Sequence, residues 1–341
     1  MGRDADRHRL DGPALPRGPG GPKTVLVTGG AGFIGSWFVR LLLEEHPEGR
    51  VITLDKLTYA GSLENLEGVL DHPRHRFVRG DIVDRGLVRE LVAETDAVVN
   101  FAAESHVDRS IADPTAFLRT NVLGTQVLLD AAREARLGVF VQVSTDEVYG
   151  SLGPAGRFTE TSPLAPSSPY SASKAAADLL ALAYHRTYGL PVVVTRSSNN
   201  FGPRQYPEKL IPVLVLRALE DRPLPLYGDG ANVRDWLYVE DNCRAIGLAL
   251  RRGRPGEVYN IGAGEERSNL EVARAVLKAL GKPGSLITFV PDRPGHDFRY
   301  ALDVTKARRE LGWEPRWRFD DALAVTVDWY ARHRRRWDRS G

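Results

Sequence analysis

Two pairs of residues in the middle of the chain have types and spacings that can move protons. Asp146 and Glu147 are adjacent carboxylates in Val143-Ser144-Thr145-Asp146-Glu147-Val148-Tyr149-Gly150, directly after the apolar run Val139-Phe140-Val141. Tyr170 and Lys174 stand four positions apart in Ser168-Pro169-Tyr170-Ser171-Ala172-Ser173-Lys174. On a helix that spacing puts both on one face. An ammonium beside a phenol favours the phenolate and lowers its pKa, so Tyr170 is expected to exchange a proton with a substrate hydroxyl near neutral pH. Hydride removal from an alcohol needs such a base. Two carboxylates in different environments have their pKa values pushed apart, so one can hold a proton while the other accepts one. Each pair also has a plainer reading. Tyr and Lys at helical spacing are common on exposed faces, and Asp146 can be a turn cap beside a solvated Glu147.

The surrounding elements decide between these readings. From Lys23 onward, apolar strands alternate with helices. Thr24–Thr28, Val51–Leu54 (ending at Asp55), Phe77-Val78 (ending at Asp81), Ala97–Phe101, Gly138–Val143 and Pro191–Thr195 read as strands. Helical stretches lie between most of them, notably Trp37–Leu43 and Asp113–Arg136, where Asp113 can cap and Pro114 suits the first turn. Such alternation means βαβ units and a parallel sheet. The fold expected is α/β: a Rossmann-type doubly wound parallel sheet with a smaller C-terminal α/β lobe. The lobe begins near Phe201, where Pro becomes frequent. Strand-like pieces at Leu224–Leu226 and Trp236–Val239 alternate there with helices at Glu208–Leu219, Val239–Leu250, Asn269–Leu280 and Asp303–Leu311. The division expected is a disordered extension over 1–22, a dinucleotide-binding domain over 23–200 and the lobe mainly over 201–335, with some elements returning to the sheet. The carboxylate pair then falls at the C-terminal end of a strand, the edge where open parallel sheets bind ligands.

The first strand runs into Gly29-Gly30-Ala31-Gly32-Phe33-Ile34-Gly35. Gly29 allows a tight turn, Gly32 lets the backbone approach a pyrophosphate, and Gly35 lets helix pack on strand. The N-terminus of the helix that follows offers free N–H groups to phosphates. Asp55, at the tip of the second strand, can hydrogen-bond both ribose hydroxyls and would repel a 2′-phosphate, which favours NAD as the cofactor over NADP.

Bulk properties remove other classes. The 341 residues carry a formal net charge of only +2, so there is no nucleic-acid footprint. The run Arg332-His333-Arg334-Arg335-Arg336 reads as a solvated helix end. Cys243 is the only cysteine, which excludes an intrachain disulfide and a cysteine-rich zinc site and suggests a reducing, cytoplasmic compartment. No metal site is expected. No apolar run is long enough to span a bilayer, so no membrane partner is expected, and residues 1–22 have no apolar core of a secretory signal.

Gly29-x-x-Gly32-x-x-Gly35, then Ser144-Thr145, then Tyr170-x-x-x-Lys174, in that order, resemble the extended short-chain dehydrogenase/reductase family. In that family Thr145, Tyr170 and Lys174 would be the shared redox constellation. Dehydrogenation alone needs neither Asp146 nor Glu147, but elimination does. Once a nucleoside-diphosphate sugar is oxidised at C4, the ketone acidifies the C5 proton. A base can remove that proton while an acid protonates the departing C6 hydroxyl, and hydride returns to C6. The segments 102–111 (AAESHVDRSI), 144–150 (STDEVYG), 199–212 (NNFGPRQYPEKLIP), 228–242 (GDGANVRDWLYVEDN) and 292–303 (DRPGHDFRYALD) resemble the dTDP-glucose 4,6-dehydratases of that family. The resemblance covers nearly the whole chain from Lys23 to about Trp329.

The resemblance implies an NAD-dependent lyase acting on an NDP-glucose, with Asp146 as the acid at the leaving hydroxyl, Glu147 as the base at C5, Tyr170 as the base at O4 and Thr145 hydrogen-bonded to O4. It implies NAD contacts from Phe33, Ile34, Asp55, Lys56, Leu57, Thr58, Asp81, Ile82, Ala102, Ala103, Thr120, Tyr170, Lys174 and Asn200. It implies nucleotide-sugar contacts from Ser105, Thr145, Asn199, Lys209, Leu210, Pro225, Tyr227, Arg234, Asn269, Arg293 and His296. By type, Arg234 and Arg293 can grip a diphosphate with two parallel hydrogen bonds or be ordinary surface arginines. Tyr227 can flank a base or sit in a core, and His296 can donate to a ligand or be structural. The loop of Phe201, Arg204 and Tyr206 departs slightly from the family's aromatic placement. Relatives commonly pair through two long helices, here 113–136 and 170–188, which implies a homodimer. The alternatives are a 4-epimerase, which needs no donor for a leaving C6 hydroxyl, and a GDP-mannose 4,6-dehydratase, which resembles Ser-Thr-Ser-Glu at positions 144–147. A non-catalytic NAD-sensing protein would be expected to lack Tyr170, Lys174 or the carboxylates.

Overall fold

The computed structural model describes residues 21–337. The extension expected to be disordered therefore lies outside the described residues, apart from Gly21 and Pro22. The first half of the chain forms β1 (Thr24–Thr28), α1 (Phe33–Glu45), β2 (Arg50–Asp55), β3 (His75–Arg79), α2 (Arg85–Ala93), β4 (Ala97–Asn100), α3 (Val107–Ala112), α4 (Thr115–Phe117) and α5 (Thr125–Glu134). It continues with β5 (Val139–Thr145), α6 (Pro169–Tyr188) and β6 (Val192–Ser197). The second half forms β7 (Asn199–Phe201), α7 (Leu210–Leu219), β8 (Leu224–Tyr227), β9 (Val233–Tyr238), α8 (Val239–Arg252) and β10 (Val258–Ile261). After these come β11 (Glu266–Ser268), α9 (Asn269–Leu280), β12 (Ile287–Val290), α10 (Thr305–Leu311) and α11 (Phe319–Arg332).

Seven strands form one sheet in the order β10-β6-β5-β4-β1-β2-β3, every pairing parallel. Parallel strands covered on both faces read as unbroken apolar runs, and β1 shows why. Val25 and Val27 face one core cluster with Phe38, Leu42 and Ile246. Leu26, between them, faces the other with Val98, Leu128 and Phe140. Each such side chain contributes about 1.5–3 kcal/mol relative to exposure. Strand order reverses beside β1, with β2 and β3 to one side and β4 onward to the other, which leaves a crevice at the carboxyl ends of the strands. Asp55, Asn100, Thr145 and Ser197 end their strands along that edge. The smaller sheets, β11-β9-β7 and β12-β8, lie in the second half of the chain.

The structure differs from the sequence reading in identifiable places. The expected single helix over 113–136 is α4, a π-helical stretch Leu118–Gly124, and α5. The N-cap of α4 is Pro114 rather than Asp113, and the Asp113 carboxylate accepts from the Thr115 N–H at 2.9 Å. In the π stretch Asn121 turns inward and bonds the Glu104 carbonyl at 3.0 Å and the Ser173 hydroxyl at 2.8 Å. Such stretches recur at functional sites. The C-terminal basic run is exposed through Arg335, but Arg336 folds back to pair with Glu64 at 2.9 Å and to bond Asn65 at 2.8 Å. Cys243 is buried, as a small apolar residue would be.

Candidate active site

The crevice holds a cavity of about 300 Å³ that reaches from the glycine turn to the carboxylate pair. At the turn, Gly29 has φ +69°, and a Cβ there would lie 2.7 Å from the Ala102 nitrogen. A Cβ on Gly35 would lie 2.3 Å from the Gly29 carbonyl oxygen. Side chains at these two positions would break the turn and fill the space between β1 and the loop after β4. Asp55 is 9% exposed. Its Oδ2 accepts from the Ala31 N–H at 3.0 Å and its Oδ1 from the Leu57 N–H at 2.8 Å. Burial raises its pKa against those two N–H bonds. Each oxygen keeps a lone pair for a further donor. Lys56 is 3.7 Å from both Asp81 and Glu104 and 3.3 Å from the Thr120 hydroxyl. A glycine cradle over a helix N-terminus, with an acceptor carboxylate one strand away, fits a dinucleotide.

Gly29, Gly32, Phe33, Ile34, Gly35, Asp55, Lys56, Thr58, Asp81, Ile82, Ala102, Ala103, Thr120 and Asn200 all line the cavity. Leu57 does not. Its backbone takes a left-handed φ of +57° and its side chain packs against the core.

The carboxylates sit at the other end. Thr145 closes β5 and caps a 3₁₀ turn, Asp146–Tyr149, its hydroxyl accepting from the Glu147 N–H at 3.3 Å. Asp146 is 1% exposed, and its Oδ2 has no partner among the described residues. Burial pushes the Asp146 carboxyl well above the usual range, with the charges of Glu147 and Asp235 adding to the effect. Burial also raises Glu147, but Lys209, Arg234 and Arg293 all pull it back. Both carboxyls therefore stand above the usual range, Asp146 well above it and Glu147 less so, which makes Asp146 the better proton holder of the two.

Ser168 starts α6 with a capping box to Ser171, with Pro169 in the first turn. This fixes Tyr170 and Lys174 against the cavity, 8% and 5% exposed. The expected lowering of the Tyr170 phenol by Lys174 is corrected by the structure. The ammonium donates to the Val143 carbonyl at 2.6 Å, and burial draws it down to about 8 with Asp178 opposing. The phenol instead stands far above its usual value because it is buried and faces Glu147, with a hydrogen bond to Thr145 acting the other way.

Of the residues expected at the sugar, Ser105, Thr145, Asn199 and Lys209 line the same cavity, and Lys209 donates to the Ser105 carbonyl at 2.7 Å. A second group lies outside that lining. There the Tyr227 hydroxyl donates to Asp108 at 3.2 Å, Arg293 donates to the same carboxylate at 3.1 Å, and His296 is 2.6 Å from Asp292. Arg234 does not present a free fork, because it donates to the Val233, Phe298 and Asp297 carbonyls at 2.8, 3.2 and 2.9 Å. Leu210 and Asn269 are the first residues of α7 and α9, and Pro225 lies in β8. None of these three lines the cavity. Arg204 points the other way, its guanidinium 5.6 Å from the Trp37 ring and 5.9 Å from that of Trp329.

Sequence reasoning missed Tyr206 and Glu208, which line the cavity; Tyr59 donates to Glu208 at 3.0 Å. It also missed Asp235, a buried carboxyl pushed up to about 6. Its place beside Arg234 in Arg234-Asp235-Trp236 was the available signal.

The family model described as GDP-mannose 4,6 dehydratase matches residues 26–326. The chain is 60% identical to the low-salt glycan biosynthesis protein Agl12 of Haloferax volcanii, over 90% of this chain and 98% of that protein. It is 57% identical to a dTDP-glucose 4,6-dehydratase of Streptomyces niveus, over 92% of this chain and 94% of the relative. Among solved structures, the dTDP-glucose 4,6-dehydratase DesIV of Streptomyces venezuelae, with NAD and TYD bound, superposes with a TM-score of 0.91. It is 55% identical and covers 92% of this chain and 99% of its own.

Proposed function

This chain belongs to the GDP-mannose 4,6 dehydratase family, and on that premise we propose that it is an NAD-dependent hydro-lyase of deoxysugar biosynthesis, converting dTDP-glucose to the 4-keto-6-deoxy product. The observation that carries the reading is the buried pair Asp146-Glu147 beside Tyr170, two acids both raised by burial, Asp146 further than Glu147, at the sugar end of the cavity. The choice of dTDP-glucose is supported by relatives of that name at 55–57% identity over 92% of this chain.

NAD, held by the Gly29–Gly35 turn, Asp55 and the Tyr170–Lys174 face, would supply the hydride chemistry, oxidation at C4 and reduction at C6. Tyr170 takes the O4 proton, and the Thr145 hydroxyl holds O4 in place. Glu147, whose burial is partly offset by the charges of Lys209, Arg234 and Arg293, takes the C5 proton. Asp146, sealed from water and carrying its proton, delivers it to the C6 oxygen as water departs. Lys174, anchored on Val143, fixes the face of α6 that presents Tyr170. The lobe from Phe201 onward holds the nucleotide-sugar, with Lys209, Arg293 and His296 facing its polar groups. The substrate test is a panel of nucleotide-glucoses assayed for a 4-keto product. Fastest turnover with dTDP-glucose supports the reading, whereas conversion to dTDP-galactose would make the chain an epimerase and remove the role given to Asp146.

A homodimer joined through α5 and α6 completes the proposal. Leu118 and Leu123, on the π-helical stretch that leads into α5, and Leu179, on α6, are exposed. Light scattering at micromolar concentration should give twice the chain mass; a single-chain mass refutes the pairing. Among the described residues no helix is long and apolar enough to cross a membrane, and the proposed compartment is the cytoplasm.

A further inference from the structure

The residues assigned above act on the sugar directly, but the segment 292–300 also carries a carboxylate that touches none of it. Asp297 is 9% exposed. One of its oxygens, Oδ2, accepts from the Tyr300 phenol at 2.5 Å and from the Ser167 hydroxyl at 2.5 Å. These two donors belong to different parts of the molecule. Tyr300 lies on the same segment as Arg293 and His296, whereas Ser167 directly precedes the Ser168 capping box that starts α6 and stands three residues before Tyr170. The two segments also approach through their backbones: a Cβ on Gly295 would lie 3.0 Å from the Ser167 carbonyl oxygen.

The other side of Asp297 is equally committed. Its carbonyl accepts from Arg234 Nη2 at 2.9 Å and from the Asn232 side chain at 3.2 Å. The Arg234 guanidinium lies 4.3 Å from the Tyr300 ring. Arg234 is thereby held as a fixed positive charge that acts on Asp146 and Glu147. Residues 299–303 are anchored independently, by main-chain bonds between Leu152 and Arg299 and between Phe158 and Ala301, each 2.9 Å. Upstream of them, the tie between this segment and the start of α6 is the Asp297 carboxylate and the Gly295 contact.

We propose that Asp297 is a positioning residue that couples the segment carrying Arg293 and His296 to the N-terminus of α6, so that nucleotide-sugar held by that segment sets the placement of Tyr170. The proposal rests on reading Tyr170 as the base at O4. Its physical basis is that hydroxyl donors to a carboxylate make short, strong hydrogen bonds, and that a shift of about 1 Å at a reacting group can cost on the order of 10²-fold in rate.

The experiment compares the holoenzyme with Asp297→Ala, Asp297→Asn and Ser167→Ala. For each, turnover of dTDP-glucose is measured as kcat and KM, dTDP binding by calorimetry, and Tm by thermal melting. Asp297→Ala should lower kcat by on the order of 10²-fold. Asp297→Asn can place its amide oxygen where both hydroxyls point and should recover kcat to within a few-fold of wild type. Ser167→Ala cuts only the helix side of the tie, at an exposed position; it should lower kcat about tenfold while dTDP affinity and Tm stay unchanged. If Asp297→Ala and Ser167→Ala keep kcat within twofold of wild type, or if Asp297→Asn is as impaired as Asp297→Ala, the coupling is refuted. If wild type gives no 4-keto product from any nucleotide-glucose, the functional reading fails first and this proposal falls with it.

Discussion

Replacing Asp146 by Asn should separate the two halves of the reaction. Asn has nearly the shape of a protonated Asp and carries no transferable proton. The carboxyl is 1% exposed and held well above the usual range by burial, Glu147 and Asp235, so the exchange removes a proton donor without removing a charge. General-acid catalysis contributes roughly 10²–10⁴-fold, which is about 2.7–5.4 kcal/mol of barrier at 1.36 kcal/mol per tenfold. Oxidation at C4, which uses Tyr170, should proceed. In a stopped-flow experiment with dTDP-glucose, nicotinamide absorbance should rise and persist in the variant, while 4-keto-6-deoxy product forms 10²–10⁴-fold more slowly.

The same carboxyl fixes a sign for stability. A group whose folded pKa lies above its unfolded value stabilises the fold fully at pH below the unfolded value, 3.8 for Asp146. That contribution is lost as pH rises through the folded value. Melting temperatures of wild type relative to Asp146→Asn should therefore fall as pH is raised above that point. Equal loss of oxidation and elimination, or a difference in Tm that does not change with pH, would refute the assignment of the proton to Asp146.

Two further outcomes follow from the geometry. Glu147→Gln removes the carboxylate that Lys209, Arg234 and Arg293 face, and should slow exchange of the substrate C5 proton into deuterated water by at least about 10²-fold; unchanged exchange, followed by NMR, removes Glu147 from the base role. Gly29→Ala puts a methyl 2.7 Å from the Ala102 nitrogen at a φ of +69°. It should reduce NAD affinity in calorimetry more than tenfold and destabilise the fold by about 1–2 kcal/mol; retention of wild-type affinity would move the cofactor away from this turn.

The parts of the fold and site written in local pattern were legible in the sequence. The apolar runs of β1, β2, β4, β5 and β6 announce a parallel sheet because strands buried on both faces carry no polar alternation. The glycine turn with Asp55 one strand later is likewise readable. Other features depend on partners far along the chain. β10 has only four residues, one of them Asn260, whose side chain accepts from Tyr149 at 2.7 Å. β7 begins with two asparagines and reads as loop. The π stretch depends on Asn121 reaching Ser173, fifty-two residues away. Helical spacing placed Tyr170 and Lys174 on one face but could not say that the ammonium would point to Val143, so their expected coupling was misread. Asp235, Asp297 and Tyr300 gain their significance only from tertiary neighbours.

The central claim is a redox-neutral dehydration in which the hydrogen taken from C4 is returned to C6. dTDP-glucose carrying deuterium at C4 tests it in one reaction, with the product analysed by mass spectrometry and NMR. The account predicts a 4-keto-6-deoxy product whose C6 methyl retains the deuterium, with one solvent hydrogen newly at C5. A product with deuterium still at C4, or a 4-keto product with none at C6, would contradict it.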